Sequence, residues 1–196
     1  MNEPNNSELE PLTRSQILII MAITAIIIVM IAKLWQKIGS VEILAWEFTS
    51  QALIWSLALA GVISIASSVI YHLWPAYRHS ADAYLELVIK PLTWSDLIWL
   101  GLLPGLSEEL LFRGIMLPAL GLNLAGVIIS SCLFGILHMN DTQQWSYAVW
   151  AAVVGFLLGY VALITSNLIV PVIAHILTNF CSGLVWKTQH RFNSSS

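Results

Sequence analysis

The sequence predicts an all-α membrane protein, a polytopic transmembrane helical bundle of about six spans, and three observations carry that expectation. Of 196 residues, 58% are hydrophobic and only 10% are charged, against roughly 25% charged in soluble domains. With a mean hydropathy of +0.80, so much apolar surface cannot be hidden inside one small water-soluble core. The apolar residues fall into charge-poor runs, the later ones separated by turn signals at Gly121, Asn140-Asp141 and Ser166-Asn167. Trp35, Trp46, Trp74, Trp94, Trp145 and Trp186 stand near the run ends, as an interfacial aromatic belt requires. A net charge of −3 leaves no basic surface for phosphates, so the expected surroundings are a lipid bilayer and no nucleic acid. Cys132 and Cys181 lack the spacing of a metal or redox motif and read as small buried apolar residues.

Residues 1–16 are polar, with Pro4, Pro11 and three glutamates, and are expected to form a disordered tail. The first span starts at Ile17 and reaches Trp35, with Lys33 snorkelling at its end, and the second runs from about Phe48 to Trp74. These two accessory helices make up residues 17–74. Residues 75–95 hold Pro75, Arg78, Asp82, Glu86, Lys90 and Pro91 and read as the longest loop, marking the boundary of a core at 96–186. Four spans are expected in that core, at 96–118, 124–138, 146–165 and 168–186, before a C-terminal tail at 187–196. With Arg14, Arg78, Lys90, Lys187 and Arg191 on one side and Lys33 and Lys37 on the other, positive-inside bookkeeping puts both termini in the cytoplasm.

Polar residues inside the apolar runs carry the functional signal. Glu108, Glu109 and Arg113 interrupt the third run, where each ionisable group costs about 2.5 to 3.5 kcal/mol even on lenient insertion scales. Glu109 and Arg113 are four residues apart and share a helix face, so they can pair, while Glu108 points about 100° away and has no partner in its own segment. Low-dielectric surroundings favour the neutral form of a carboxyl, which suits a general base that later returns its proton as an acid. His138 closes the fourth run, and His175 and Asn179 share a face of the sixth, where both can donate to one developing oxyanion. A base, a second histidine and an oxyanion pair are most of what hydrolysis by water needs. Glu108, His138 and His175 could alternatively form a three-ligand zinc site, although the His-Glu-x-x-His helix is absent and Asn179 suits an oxyanion better than zinc. His72, His79 and His190 fall at run ends or in loops and read as solvated imidazoles.

The ordered set Glu108-Glu109-x-x-x-Arg113, Phe134-x-x-x-His138 and His175-x-x-x-Asn179 resembles the CPBP or Abi family of intramembrane proteases, which includes CaaX prenyl endopeptidases and bacteriocin-immunity proteins. The resemblance covers about residues 95–186. It implies a helical membrane hydrolase in which Glu108, helped by His138, activates the water that attacks a peptide carbonyl. His175 and Asn179 would stabilise the oxyanion, Arg113 would hold Glu109, and Phe134 would pack against the site. The implied partners are peptide or protein substrates, including prenylated C-termini and transmembrane segments; no cofactor is favoured, with zinc as the alternative. Two other classes fit parts of the pattern: a catalytically silent scaffold or immunity-type binding protein, and an ion or proton transporter built on the same intramembrane Glu, His and Arg.

Overall fold

A computed structural model describes residues 12–139 and 141–193, and those residues are helices joined by short connections, with no strand among them. Helix α1, Arg14–Gly39, starts at Thr13, whose hydroxyl accepts from the Gln16 N–H at 3.3 Å while the Gln16 side chain accepts from the Thr13 N–H at 2.8 Å. This reciprocal cap fixes the helix start. The expected tail is therefore too long at its inner end, because Arg14–Gln16 already belong to α1; residues 1–11 lie outside the described residues. Helix α2, Ser50–Leu73, is capped by Thr49, which accepts from Ala52 N–H at 3.0 Å.

Residues 75–89, expected as loop, form helix α3, Pro75–Ile89. Pro75 sits at the first turn, where its missing N–H costs nothing. Tyr77, Ser80, Ala81 and Ile89 are buried, while Arg78, Asp82, Glu86 and Lys90 recur every four residues along the other side. The charges that suggested a loop are the outer stripe of an amphipathic helix.

The third run is one helical rod in three parts: α4, Leu97–Glu109; a π-helical turn, Leu110–Met116; and α5, Leu117–Leu120. Pro118 cannot donate to the preceding turn, and a widened turn relieves the clash of its ring. Helix α6, Leu124–Leu137, has 14 residues, about 21 Å by helical rise, which is short of the roughly 30 Å hydrocarbon core. Helices α7, Trp145–Thr165, and α8, Ile169–Asn193, complete the bundle. Among the described residues four helices are long and apolar enough to cross a membrane, those at Arg14–Gly39, Ser50–Leu73, Thr142–Thr165 and Ile169–His190. The other two expected spans are the π-interrupted rod and the short α6. The expected C-terminal tail is helical as far as Asn193, and residues 194–196 lie outside the described residues. Cys132 and Cys181 are exposed on the bundle surface rather than buried.

Two close approaches hold the core together. A Cβ on Gly101 would lie 2.7 Å from the Ile176 carbonyl oxygen, and one on Gly105 would lie 2.5 Å from Ile176 Cγ1. Helix α4 can therefore lie against α8 only because these residues lack side chains, the small-xxx-small device of membrane helices. Gly135 does the same for α6 on α7, where its Cβ would meet the Ala148 carbonyl at 2.6 Å. Asn167 ties the α7–α8 turn to the α1–α2 connection, donating to Glu47 O at 2.7 Å and accepting from Ile169 N–H at 3.0 Å.

Candidate active site

The contact of α4 with α8 brings the third and sixth runs together at Glu109. Its Oε1 accepts from Arg113 Nη1 at 2.8 Å and from His175 Nδ1 at 2.7 Å. Glu109 and Arg113 are both 0% exposed, so this is a fully desolvated pair. Arg113 also donates from Nη2 to the Gly155 carbonyl at 2.7 Å and lays its guanidinium 4.7 Å from the centre of the Phe134 ring. Gly155 has to be small, because a Cβ there would sit 3.1 Å from both Arg113 Nη2 and Phe134 Cδ1. Phe134 is the hub of the cluster, with ring centres 4.3 Å from His138 and 6.0 Å from His175.

Glu108 turns the other way, into a cavity. Its Oε2 lies 3.8 Å from His138 Nε2 and has no hydrogen-bond partner among the described residues. His138 caps α6, and its Nδ1 is 2.7 Å from the Phe134 carbonyl. A carbonyl oxygen only accepts, so Nδ1 carries a proton and Nε2 is the ring nitrogen turned toward Glu108. At 3.8 Å the two atoms make no direct hydrogen bond, and a water beside them at ordinary hydrogen-bond length would join them.

Glu108, His138, His175 and Asn179 all line one cavity of about 420 Å³. His138, His175 and Asn179 also line a second of about 90 Å³. The six residues singled out from the sequence thus divide into a buried group, Glu109 and Arg113, and a cavity group, Glu108, His138 and Asn179; His175 joins the two. Sequence reasoning missed the aromatic wall of the cavity. Tyr84 stacks on Tyr147 at 4.9 Å, and Tyr147 lies 6.4 Å from the His138 ring. Burial pushes the Tyr77 and Tyr84 phenols up to about 12, so both stay neutral hydroxyls. The spacing of Tyr77, Ala81, Tyr84 and Val88 at three and four residues was the signal for an inward-facing helix stripe. Arg113's bond to Gly155 had no signal in the sequence.

Among the described residues no three His, Cys, Asp or Glu side chains are grouped so as to hold a metal ion. The Nδ1 atoms of His138 and His175 are engaged by Phe134 and Glu109, so Nε2 is the ring nitrogen each leaves for another partner.

A family model described as Type II CAAX prenyl endopeptidase Rce1-like matches residues 90–181. Residues 90–181 carry an Rce1-like domain. All six site residues lie within it. The Rce1-like family is one of proteases, and with four apolar helices of spanning length the chain is an integral membrane protein. The uncharacterized protein YpbD of Bacillus subtilis (strain 168) is 27% identical over 148 residues, 75% of this chain and 74% of that protein. No solved structure matches the chain.

Proposed function

We propose that the protein is an intramembrane endopeptidase that hydrolyses a peptide bond with a water activated by Glu108. The observation that carries this reading is the facing pair Glu108 Oε2 and His138 Nε2, 3.8 Å apart at the cavity wall. A water between them donates one hydrogen bond to each. Glu108 takes its proton as the oxygen attacks the substrate carbonyl, and the C=O electron pair moves onto oxygen to give a tetrahedral oxyanion. Glu108 then returns the proton to the departing amine as the C–N bond breaks, so no proton is gained or lost over the cycle.

Asn179 and His175 stand one helical turn apart on the same cavity and suit the oxyanion. Because His175 Nδ1–H is given to Glu109, its Nε2 donates only when the ring is an imidazolium. Arg113 holds Glu109 in turn. No step runs through a metal, and the substrates are peptides or proteins reached from the bilayer, with prenylated C-termini and transmembrane segments both within the class.

The test compares peptide termini in membranes from cells carrying wild-type protein or Glu108→Gln at matched expression. Termini present with the wild type and lost with the variant support the protease and reveal its cleavage preference. Identical termini, with the variant at normal level, overturn it.

A further inference from the structure

Two cavities meet at the candidate site, and what they share is polar. Tyr77, His138, Tyr147, His175, Asn179 and Ser182 line both the 420 Å³ cavity and the 90 Å³ one, and each carries a hydroxyl, an imidazole or an amide. Glu108 lines the larger cavity and not the smaller, whereas Phe134 lines the smaller and not the larger. A peptide that reaches Glu108 does so from the larger space, with the smaller one behind the shared wall.

The chemistry of the small cavity suits water. Beyond the shared wall it is lined by Ser67 of α2, Trp150 of α7 and Thr178 of α8, and Ile63, Ala151, Val154 and Leu158 belong to its apolar remainder. Trp150 Nε1 donates to Ser67 Oγ at 3.1 Å, and Thr178 Oγ1 donates to the Ala174 carbonyl at 2.8 Å. Each hydroxyl oxygen keeps a lone pair for another donor, and Ser67 keeps its proton. Among the described residues the side chains of Asn179 and Ser182 make no hydrogen bond to protein. Polar groups so placed are met by internal water, and a space of 90 Å³ takes about three waters at roughly 30 Å³ each.

Hydrolysis consumes one water for each bond cleaved. A peptide lying across Glu108 displaces water from the larger cavity, so the next water has to come from another side. The shared wall offers one, because His138 belongs both to it and to the facing pair with Glu108.

We propose that the small cavity is a water site, and that it resupplies the Glu108–His138 pair through the wall the two cavities share. Ser67, Trp150, Thr178 and Ser182 are then positioning residues that hold the chain of waters. Each turnover takes one of them. Its oxygen and one proton enter the new carboxyl group, its other proton goes to the departing amine, and the next water moves up. The supply role rests on the proposed protease; the water site does not.

Phe112 and Phe134 form a matched pair for the test. Both are 2% exposed, their ring centres are 5.1 Å apart, and of the two only Phe134 lines the small cavity. Protein in lipid nanodiscs receives a millisecond X-ray pulse, which splits bound water into hydroxyl radicals that oxidise the side chains they touch. Oxidation is mapped by mass spectrometry, and Phe134 is expected to react about tenfold faster than Phe112. Ala151→Leu fills the small cavity from a position that does not line the larger one. It is expected to bring Phe134 down to the Phe112 rate, with unchanged Phe112 oxidation as the control for folding. Thr178→Val keeps the shape, removes one hydroxyl and is expected to slow Phe134 oxidation about twofold to threefold; it carries the comparison should Ala151→Leu expose Phe112 as well.

With a peptide recovered from the terminus comparison, Ala151→Leu is expected to lower kcat about tenfold at unchanged KM, because the larger cavity is untouched. Phe134 oxidised no faster than Phe112 overturns the water site. A wild-type kcat in variant protein whose Phe134 oxidation has fallen overturns the supply. Rapid Phe134 oxidation in a protein without Glu108-dependent cleavage sinks the protease and keeps the water site, so the two readings fail separately.

Discussion

Glu108 and Glu109 are neighbours in the chain and opposites in setting. Glu109 is 0% exposed and shares one oxygen between Arg113 and His175. Glu108 is 15% exposed at the cavity wall, with one oxygen unbonded and 3.8 Å from a histidine nitrogen. One carboxylate is spent on holding helices together and the other is held ready. The difference is the ion pair, since Glu109 Oε2 and Arg113 Nε also lack a hydrogen-bond partner among the described residues: a buried charge beside its counter-charge holds the bundle, and an acid without one beside a cavity marks the place where chemistry can occur.

That contrast can be broken experimentally. The largest effect is expected at Glu108: Glu108→Gln should lower hydrolysis by about 10² to 10⁴, the usual worth of a general base, while the unfolding midpoint in detergent stays at the wild-type value. Glu109→Gln should do the opposite in kind. It leaves the Arg113 charge buried and unpaired, and unfolding titrations should record a loss of about 3 to 5 kcal/mol. Should the two variants prove alike in both assays, the division of labour between the neighbours is wrong.

Asn179→Ala sharpens the cavity side, with kcat expected to fall by about 10² to 10³ at little change in KM, as for loss of one oxyanion donor. Gly155→Ala sharpens the buried side. The added methyl presses on Arg113 and Phe134 at 3.1 Å, for an expected cost of about 1 to 3 kcal/mol in the same titration.

The smallest effect belongs to the second arginine–carboxylate pair, Arg14 with Asp96. The Arg14 bonds, with help from Thr93 N–H and Oγ1, hold the Asp96 carboxyl well below the usual carboxylate range. Because the folded state binds this proton more weakly than the unfolded chain does, the pair's contribution is complete above about pH 4 and fades as pH falls below that toward the depressed folded value. Arg14 is half exposed, so water and salt weaken the pair. Asp96→Asn should lower stability slightly above about pH 4 and flatten the acid-side slope, measured between about pH 2 and 7.

Most of the helical class and every within-helix pairing could be read from the residues. Glu109 with Arg113 and His175 with Asn179 follow from four-residue spacing, because a helix repeats its faces every 3.6 residues whatever surrounds it. The same rule would have identified α3, had its charges been counted by face rather than by number. Span lengths were less legible. Apolarity marks which runs are helical, but Pro118, the π turn and the end of α6 at His138 decide how far each one extends.

What the sequence by itself determined was the set of polar groups, the helices that carry them and the face each one occupies, all consequences of local geometry. Only the tertiary structure decided that Glu109 meets His175 across 66 residues, that Arg113 finds the Gly155 carbonyl across 42, and that Glu108 faces His138 over a cavity. Those meetings depend on how closely and in what register helices approach one another. Here that is set by glycines lying against Ile176, Ala148 and Arg113, contacts whose partners no local pattern names.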